Sequence, residues 1–333
     1  MKTLEQVRAQ LKAYPIEIDF PDISPWKDGN TGVDYVHSID SGIAGPHVMI
    51  MALMHGNEVS GAITVDRLLK AGLTPRQGRI TLGFANVAAY QRFDASNPDA
   101  GRYVDEDMNR VWSADRLDST QDSTELRRAR ALRPIIDTVD YMLDLHSMHE
   151  VAPPLLLSGP LDKGIRFAAA VGAPEHVIID AGHANGKRMR DYAAFGDPAS
   201  SKNALLIETG QHFSSRSKDV AMDSACRFLM ATGVLQSDDL RSFMLPEAPT
   251  LQRFFQVTDA VVADSYDFEF ADDYRGMEII AKAGSLIAHD KEAKIVTPYD
   301  NCVIIMPSLR HLGPGVTVMR LARLVDAARG AQA

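Results

Sequence analysis

The segment VMIMALMHGNEVSGAITVDRLLK, residues 48–70, contains the pattern that decides the fold. Its first seven residues are all apolar, which is typical of a strand buried on both faces of a sheet. From Glu58 onward the apolar residues recur at helical spacing. The segment therefore predicts a strand at Val48–Met54, a tight turn at Gly56 and a helix at Glu58–Lys70, which together form the repeating unit of an α/β sheet.

The same alternation of strand and helix continues to about residue 235. Apolar runs predict five more buried strands, at Arg79–Val87, Tyr141–Leu145, Pro154–Leu157, His176–Ile179 and Ala204–Ile207. Helical patterns lie between them, at Ser123–Val139, Lys163–Val171 and Asp219–Thr232. The sequence thus predicts an α/β sheet with helices on both faces, in which chemistry collects at the carboxyl ends of the strands.

After about residue 240 the pattern changes to short β-like runs separated by turn signals. These runs are Phe254–Ala263, Asp267–Phe270, Gly284–Ala288, Lys294–Val296, Asn301–Met306 and Thr317–Leu324. A chain of 333 residues also exceeds the size at which a single core usually stops growing. We therefore predict a catalytic domain at residues 1–240 and a small, mostly β domain at residues 241–333.

Composition and charge narrow the range of partners. The net charge of −9 argues against a nucleic-acid backbone as the main ligand. The first residues lack the apolar core of a secretory signal, and the apolar run at Val48–Met54 is too short to cross a membrane. We expect a cytoplasmic protein with no membrane partner, in which Cys226 and Cys302, each within an apolar stretch, are buried thiols.

Two histidines and a glutamate form the strongest candidate site. His55 and Glu58 stand three residues apart at a predicted strand-to-helix turn, and His146 in DLHS (144–147) follows another predicted strand. Each piece alone is common in proteins without a metal. Because both pieces end strands of the same sheet, we expect them to meet as a catalytic zinc arrangement whose fourth position is left for water.

Two other polar segments are candidates for substrate contacts and for a base. In RYVDEDMNR (102–110), Arg102, Asn109 and Arg110 can hold a carboxylate. The residues leave open the alternative of a surface loop whose three acids pair with its own arginines. Glu208 ends the apolar run Ala204–Ile207, where a carboxylate is costly unless it is solvated or functional, and beside a metal-bound water it would be a general base.

In chain order, HGNE (55–58), RYVDEDMNR (102–110), DLHS (144–147) and IETG (207–210) resemble the succinylglutamate desuccinylase/aspartoacylase family of zinc carboxypeptidase-like hydrolases. The resemblance implies a zinc-carboxypeptidase-like mixed sheet flanked by helices, with a small mostly-β C-terminal domain. It also implies one zinc ion per chain, held by His55, Glu58 and His146. Glu208 would take a proton from the zinc-bound water and pass it to the leaving amine.

The resemblance extends to the substrate contacts. Arg102 would help to stabilise the oxyanion, and Asn109 and Arg110 would bind the α-carboxylate. A further arginine before the catalytic glutamate would contact the rest of the substrate. Arg188 and Arg190 are the candidates, and we assign this contact to Arg190. Aspartoacylases carry a Tyr–Pro pair near the C-terminus, whose counterpart here is Met306-Pro307, so one aspartate-recognising hydroxyl is missing. The leaving amine therefore stays open among aspartate, glutamate, diaminobutyrate and an unrelated amine.

The sequence therefore predicts a zinc-dependent amidohydrolase that removes an acyl group of the acetyl or succinyl class from a small N-acylated amino acid or amine. One alternative is a zinc carboxypeptidase or peptide amidase on the same scaffold, although the extra domain favours a small substrate. Another is a metal-binding protein without catalysis, against which the presence of Glu208 with all three ligands speaks. A homo-oligomer is the default expectation for such an enzyme.

Overall fold

The structure is a computed structural model that describes residues 2–9, 11–182, 185–246 and 250–326. Its helices are α1 (Leu4–Ala9), α2 (Val59–Ala71), α3 (Val87–Tyr90), α4 (Ala114–Leu117), α5 (Thr124–Ile136), α6 (Asp162–Val171), α7 (Ser215–Ala231) and α8 (Ser237–Leu240). Its first seven strands are β1 (Val36–Asp40), β2 (His47–Ala52), β3 (Arg79–Phe84), β4 (Tyr141–Met148), β5 (Leu155–Leu157), β6 (His176–Ile179) and β7 (Asn203–Gln211). The later strands are β8 (Arg253–Val262), β9 (Glu269–Phe270), β10 (Ile279–Ile280), β11 (Leu286–Asp290), β12 (Ala293–Val296), β13 (Cys302–Ile305) and β14 (Thr317–Val325).

Within the described residues, eleven strands form one sheet in the order β1-β3-β2-β4-β7-β5-β6-β8-β14-β13-β10. Strands β3, β2, β4 and β7 run parallel to one another, whereas β1 and β5 are antiparallel to their neighbours β3 and β7. Strands β12, β11 and β9 form a separate small sheet. The predicted fold class, a mixed α/β sheet with helices and a β-rich C-terminal region, is confirmed.

Strand β2 shows why the central strands are apolar throughout. Val48 and Ile50 pack in a cluster that includes residues of α2, α6 and α7, whereas Met49 and Met51 pack in a second cluster with residues of α5. Successive side chains of a strand point to opposite faces, so a strand covered by helices on both faces needs apolar residues at every position. The unbroken apolar runs therefore account for the helices that cover both faces of the sheet.

The ends of several strands differ from the prediction. Strand β3 stops at Phe84, because the Asn86 side chain accepts a hydrogen bond from the Ala89 N–H (3.2 Å) and caps the short helix α3. Strand β1 was not predicted, since its half-exposed sequence VHSID lacks a continuous apolar run. These differences lie at a strand end and at the edge of the sheet.

Strands β4 and β7 extend further than their apolar runs, to Met148 and Gln211. Their pairing continues past the apolar residues, with His146 opposite Glu208. Both polar side chains therefore stand within paired strands, whereas the sequence placed them at or just beyond strand ends. Backbone pairing holds them more firmly than a loop would.

Four of the C-terminal strands, β8, β10, β13 and β14, join the main sheet, because β8 lies parallel to β6 and pairs with β14. The division into residues 1–240 and 241–333 stays a prediction, and residues 247–249 and 327–333 lie outside the described residues. Cys226 and Cys302 are both buried and free. Among the helices described, none has the length and apolar character needed to cross a membrane.

We expect Gly56→Ala to destabilise the protein, because the turn after β2 is packed backbone against backbone. A Cβ atom at Gly56 would lie 2.4 Å from the backbone nitrogen of Tyr90 and 2.5 Å from the carbonyl oxygen of Gly101. Such overpacking should lower the free energy of unfolding by about 1–3 kcal/mol, measured by urea denaturation.

Gly313→Ala is the matched control, because the atom nearest to a Cβ there is 3.6 Å away. We expect it to change the free energy of unfolding by less than about 0.5 kcal/mol. Equal effects from the two substitutions would contradict the close packing at Gly56.

Candidate metal centre and active site

A triad of residues, His55, Glu58 and His146, converges at the carboxyl end of the central strands. His55 and Glu58 lie in the turn between β2 and α2, and His146 lies on β4. Nδ1 of His55 is 2.7 Å from Oε1 of Glu58, and Nδ1 of His146 is 2.8 Å from Oε2. All three residues are buried, and one ligand atom from each lies within 4.8 Å of the others. In the described part of the chain, this is the one group of His, Cys, Asp and Glu residues with such spacing.

The outer nitrogen of each imidazole faces a carboxylate. Nε2 of His55 is 3.0 Å from Oδ1 of Asp107, and Nε2 of His146 is 2.9 Å from Oδ2 of Asp144. A carboxylate at one ring nitrogen fixes the tautomer and directs the other nitrogen toward a metal. The hydrogen bond to Asp107 therefore orients Nδ1 of His55 as a ligand atom, whereas Asp144 places a carboxylate beside His146 without a hydrogen bond.

Neighbouring charges shift the pKa values of Glu58 and His146 in opposite directions. Burial opposes ionisation of Glu58, but His55 and His146 outweigh it and lower the pKa of Glu58 well below its ordinary value. Burial also opposes protonation of His146, yet Asp144 and Glu58 outweigh it and raise the pKa of His146 well above its ordinary value. Two imidazole nitrogens and one carboxylate beside a cavity are the donor set of a catalytic zinc site, so these residues fit zinc.

Glu208 stands beside the triad because β7 pairs with β4 at His146. Its Oε2 atom is buried and has no hydrogen-bond partner among the residues that the structure describes. Burial, reinforced by the charge of Glu58, raises the pKa of Glu208 to about 8. A carboxyl group in this state is poised to exchange a proton, and a cation held by the triad would favour its ionised form.

Arg102 also lies close to Glu58. Its Nη1 atom is 3.6 Å from Oε1 of Glu58, and its Nη2 atom donates to Oδ2 of Asp107 at 3.1 Å. Burial alone would lower the pKa of Arg102, but Asp107 and Glu58 outweigh it and raise that pKa. Arg102 is therefore a fixed positive charge at the centre of the site.

Glu125, at the start of α5, organises the loop that carries Arg102 and Arg110. Its fully buried carboxylate accepts hydrogen bonds from the backbone N–H groups of Val104 (2.7 Å), Asp105 (3.1 Å) and Glu106 (3.2 Å). This role was not predicted, because in the sequence Glu125 is an ordinary acidic residue in the first turn of a helix.

The three acidic residues of the loop that carries Arg102 and Arg110 point in two directions, toward the start of α5 or toward the site. Asp105 accepts from the N–H of Thr124, and Glu106 accepts from the hydroxyl of Ser123, so both bind the start of α5. Asp107 faces inward, toward His55 and Arg102. The alternative of a loop with self-paired charges thus applies only to Asp107, which also orients a candidate ligand.

Asn109 and Arg110 follow in a short 3-10 turn that Asp107 caps by accepting from the N–H of Asn109 (2.8 Å). Oδ1 of Asn109 accepts from the N–H of Met189 (3.0 Å). Nη1 of Arg110 donates to the carbonyl oxygen of Asn109 (2.8 Å). These bonds hold both side chains in place while leaving Nη2 of Arg110 at 3.9 Å from the nearest carboxylate, that of Asp107.

A cavity of about 210 Å³ adjoins the triad. The predicted site residues that line it are His55, Glu58, Arg102, Asn109, Arg110, His146 and Glu208. Met306 and Pro307, the residues at the place of the Tyr–Pro pair, also line it. The structure therefore brings seven of the eight predicted site residues to one cavity.

Arg190 is the exception, because its guanidinium is directed away from this cavity. It donates to the carbonyl oxygens of Ser158 and Ala204, both at 3.0 Å. Arg188, the other candidate, lines the cavity instead. Arg188 directly precedes the 3-10 turn that contains Arg190, and the two side chains take different directions, so of the two candidates only Arg188 lines this cavity.

Several residues at the cavity carried no signal in the sequence. Asp180, directly after β6, and Arg320, on β14, both line it. His212 connects two residues that line the cavity: its Nδ1 atom is 2.7 Å from the hydroxyl of Ser147, and its Nε2 atom is 3.1 Å from Nδ1 of His149. Asp180, His212 and Arg320 are far from one another in the sequence, and only the fold brings them to this region.

A wider cavity of about 650 Å³ adjoins the first one. The two share Arg102, His149 and His311, and the rings of His149 and His311 contact each other through their Nε2 atoms at 3.0 Å. The inner cavity therefore meets the wider one at Arg102, next to the triad.

Several solved structures share the fold of this chain. Succinylglutamate desuccinylase from Vibrio cholerae is 19% identical, with a TM-score of 0.64 over 88% of this chain and 86% of the other. A succinylglutamate desuccinylase/aspartoacylase from Rhodobacter sphaeroides is 17% identical, with a TM-score of 0.64 over 88% and 90%. The ectoine utilization protein EutE (DoeB) from Ruegeria pomeroyi is 17% identical, with a TM-score of 0.59 over 86% and 88%. These likenesses show the fold.

No curated protein sequence matches this chain. The family model of the succinylglutamate desuccinylase/aspartoacylase catalytic domain matches residues 44–230, which is more than half of the chain and contains the triad, Arg102, Asn109, Arg110 and Glu208. The chain therefore belongs to the succinylglutamate desuccinylase/aspartoacylase family.

Proposed function

We propose that the protein is a zinc-dependent amidohydrolase that removes an acyl group from a small N-acylated amino acid or amine. The observation that carries this proposal is the position of Glu208. Its unpartnered, buried carboxyl oxygen lies in the same cavity as three residues that fit a zinc ion. A buried carboxylate without a partner is costly, and one beside a metal site is the expected form of a general base.

Each residue has a separate task in this reaction. Asn109 and Arg110 bind the α-carboxylate of the substrate, which places the amide near Arg102. The guanidinium of Arg102 donates to the carbonyl oxygen as negative charge develops there. When bound, zinc supplies Lewis-acid chemistry, lowering the pKa of a coordinated water to about 7 and polarising a carbonyl.

Glu208 moves the proton. Its carboxylate takes a proton from the attacking water and holds it at Oε2, which has no other partner among the described residues. It then delivers that proton to the leaving nitrogen, so that the amine departs uncharged. Burial raises the proton affinity of the carboxyl group, which makes it a stronger base than an exposed glutamate.

The relatives support an acyl group of the acetyl or succinyl class. Those with solved structures include succinylglutamate desuccinylases and an aspartoacylase family protein. The inner cavity, at about 210 Å³, has room for a small N-acyl amino acid. A cytoplasmic location and a homo-oligomeric state are further parts of the proposal.

We expect Glu208→Gln to abolish most of the activity while sparing the metal. The amide keeps the shape of the side chain but cannot accept the proton, so kcat should fall by about 100-fold or more. The measurement is hydrolysis of N-acetyl and N-succinyl amino acids and of a C-terminal peptide, with zinc content determined by elemental analysis. Both proteins should contain one zinc ion per chain.

Two further variants make this experiment decisive. His146→Ala should lose both zinc and activity, because it removes a ligand. Glu292→Gln, in the exposed turn between β11 and β12, controls for the loss of a carboxylate and should match the wild type. Undiminished turnover in Glu208→Gln would remove the proposed base, and a wild type that binds no zinc would refute the proposal. Cleavage of the peptide alone would assign a carboxypeptidase instead.

We expect Arg110→Gln to weaken substrate binding more than chemistry. Loss of a charge-assisted contact to the α-carboxylate should raise KM by about 10- to 100-fold with a smaller change in kcat. The wild type should also prefer an N-acyl amino acid over the corresponding N-acyl amine without a carboxylate, and the variant should lose that preference. Arg127→Gln, exposed on α5, should retain it. If Arg110→Gln keeps the preference, the carboxylate binds elsewhere.

A further inference from the structure

The wall of the inner cavity beyond Arg110 contains a buried cluster of opposite charges. Asp180 follows β6, Arg188 lies near a 3-10 turn, and Arg320 lies on β14. Asp180 is 4% exposed and Arg188 is 2% exposed. All three residues line the cavity, so they would face the part of the proposed substrate that extends past its α-carboxylate.

Asp180 compensates the positive charge of this wall. Its Oδ2 atom is 3.1 Å from Nη1 of Arg188 and 3.6 Å from Nε of Arg320. Arg188 also donates from Nε to Oδ2 of Asp191 at 2.7 Å. The guanidinium of Arg188 is therefore held by two carboxylates before any ligand arrives, unlike that of Arg110.

One donor of the cluster still needs an acceptor. Nη2 of Arg188 is buried and has no hydrogen-bond partner among the described residues. A buried donor without a partner is costly, so a ligand that supplies an acceptor to this atom gains affinity. The ligand would then also lie close to Asp180, which is an acceptor.

The charges decide which chemical group suits this position. A second carboxylate could accept from Arg188 but would meet the like charge of Asp180. An ammonium group would suit Asp180 but would face Arg188, Arg320 and Arg110. A neutral carboxamide offers a carbonyl oxygen to Arg188 and an N–H group to Asp180, and it adds no charge to the buried wall.

The nearby apolar side chains strengthen this preference. Leu157, Ile178 and Ile305 are buried and line the same cavity, and Met306 adds no polar hydrogen. In such surroundings an uncompensated charge is poorly solvated, and like charges repel more strongly than in water. Selection by charge is therefore sharper here than at an exposed surface.

We infer that Asp180 is a specificity-determining residue, which selects a leaving amino acid whose side chain ends in a neutral carboxamide and rejects one with a second carboxylate. The inference rests on the proposed function, because it takes the N-acyl amino acid to be anchored at Asn109 and Arg110. It assigns to Asp180 a role in recognition and none in the chemical step.

The test compares matched pairs of substrates on the zinc-loaded protein. N-acylglutamine and N-acylglutamate with the same acyl group, and the corresponding asparagine and aspartate pair, differ only in the terminal group. We expect kcat/KM to favour the amide by about 10-fold or more. Asp180→Asn should reduce that ratio by about 10-fold or more, because it removes the repulsion of the second carboxylate.

Asp191→Asn is the matched control. Asp191 binds the same guanidinium as Asp180, but it does not line the inner cavity. Its substitution should leave the ratio of amide to acid within about 3-fold of the wild type. An equal loss of preference in both variants would mean that the position of Arg188, rather than the charge of Asp180, sets the specificity, and would overturn the inference.

Binding of the free amino acids separates this inference from the proposed function. Isothermal titration of the zinc-loaded protein should show tighter binding of glutamine or asparagine than of glutamate or aspartate, with the difference reduced in Asp180→Asn. This result without any hydrolysis would support the inference and contradict the proposed function. Hydrolysis with equal or reversed preference, or no difference in binding, would overturn the inference alone.

Discussion

The active site depends on the register of three neighbouring parallel strands. Met51 of β2 pairs with Asp144 of β4, which sets the turn after β2 beside His146, and His146 pairs with Glu208 of β7. A slip of one residue would turn His146 to the opposite face of the sheet. Because these strands are buried on both faces, the slip would also disturb both hydrophobic clusters. One constraint therefore fixes the core and the site together.

Carboxylates lie against the buried nitrogen groups of this site. Asp107 faces both His55 and Arg102, and Asp144 faces His146. Removing one member of such a network leaves an uncompensated charge, which costs more than the pair contributes. Some polar atoms near the site still have no hydrogen-bond partner among the described residues, namely Oε2 of Glu208, both carboxylate oxygens of Asp144 and Nη2 of Arg188. Under the proposed function, Oε2 of Glu208 is the atom that holds the proton, which gives a reason for its lack of a partner.

The sequence predicted what is local and missed what depends on the fold. The strands β2, β4 and β7 follow from apolar runs, and the triad follows from polar residues at their ends. The sequence analysis chose Arg190 over Arg188, but the direction of the Arg190 side chain depends on carbonyl groups of Ser158 and Ala204 that only the fold brings near it. Glu125 was missed for the same reason, since its partners are backbone groups of another segment.

The C-terminal region takes part in the site through the sheet itself. Strand β8 extends the sheet beside β6, and β14 pairs with β8, so Arg320 comes within 3.6 Å of Asp180 at the end of β6. The far wall of the cavity is thus built where early and late strands meet, away from β2, β4 and β7. Under the proposed function, substitutions at this wall would change which amine is accepted without disturbing the register that assembles the triad. Recognition and chemistry would then occupy separate parts of one sheet, in line with the general rule that function resides in sites carried by a fold and not in the fold itself.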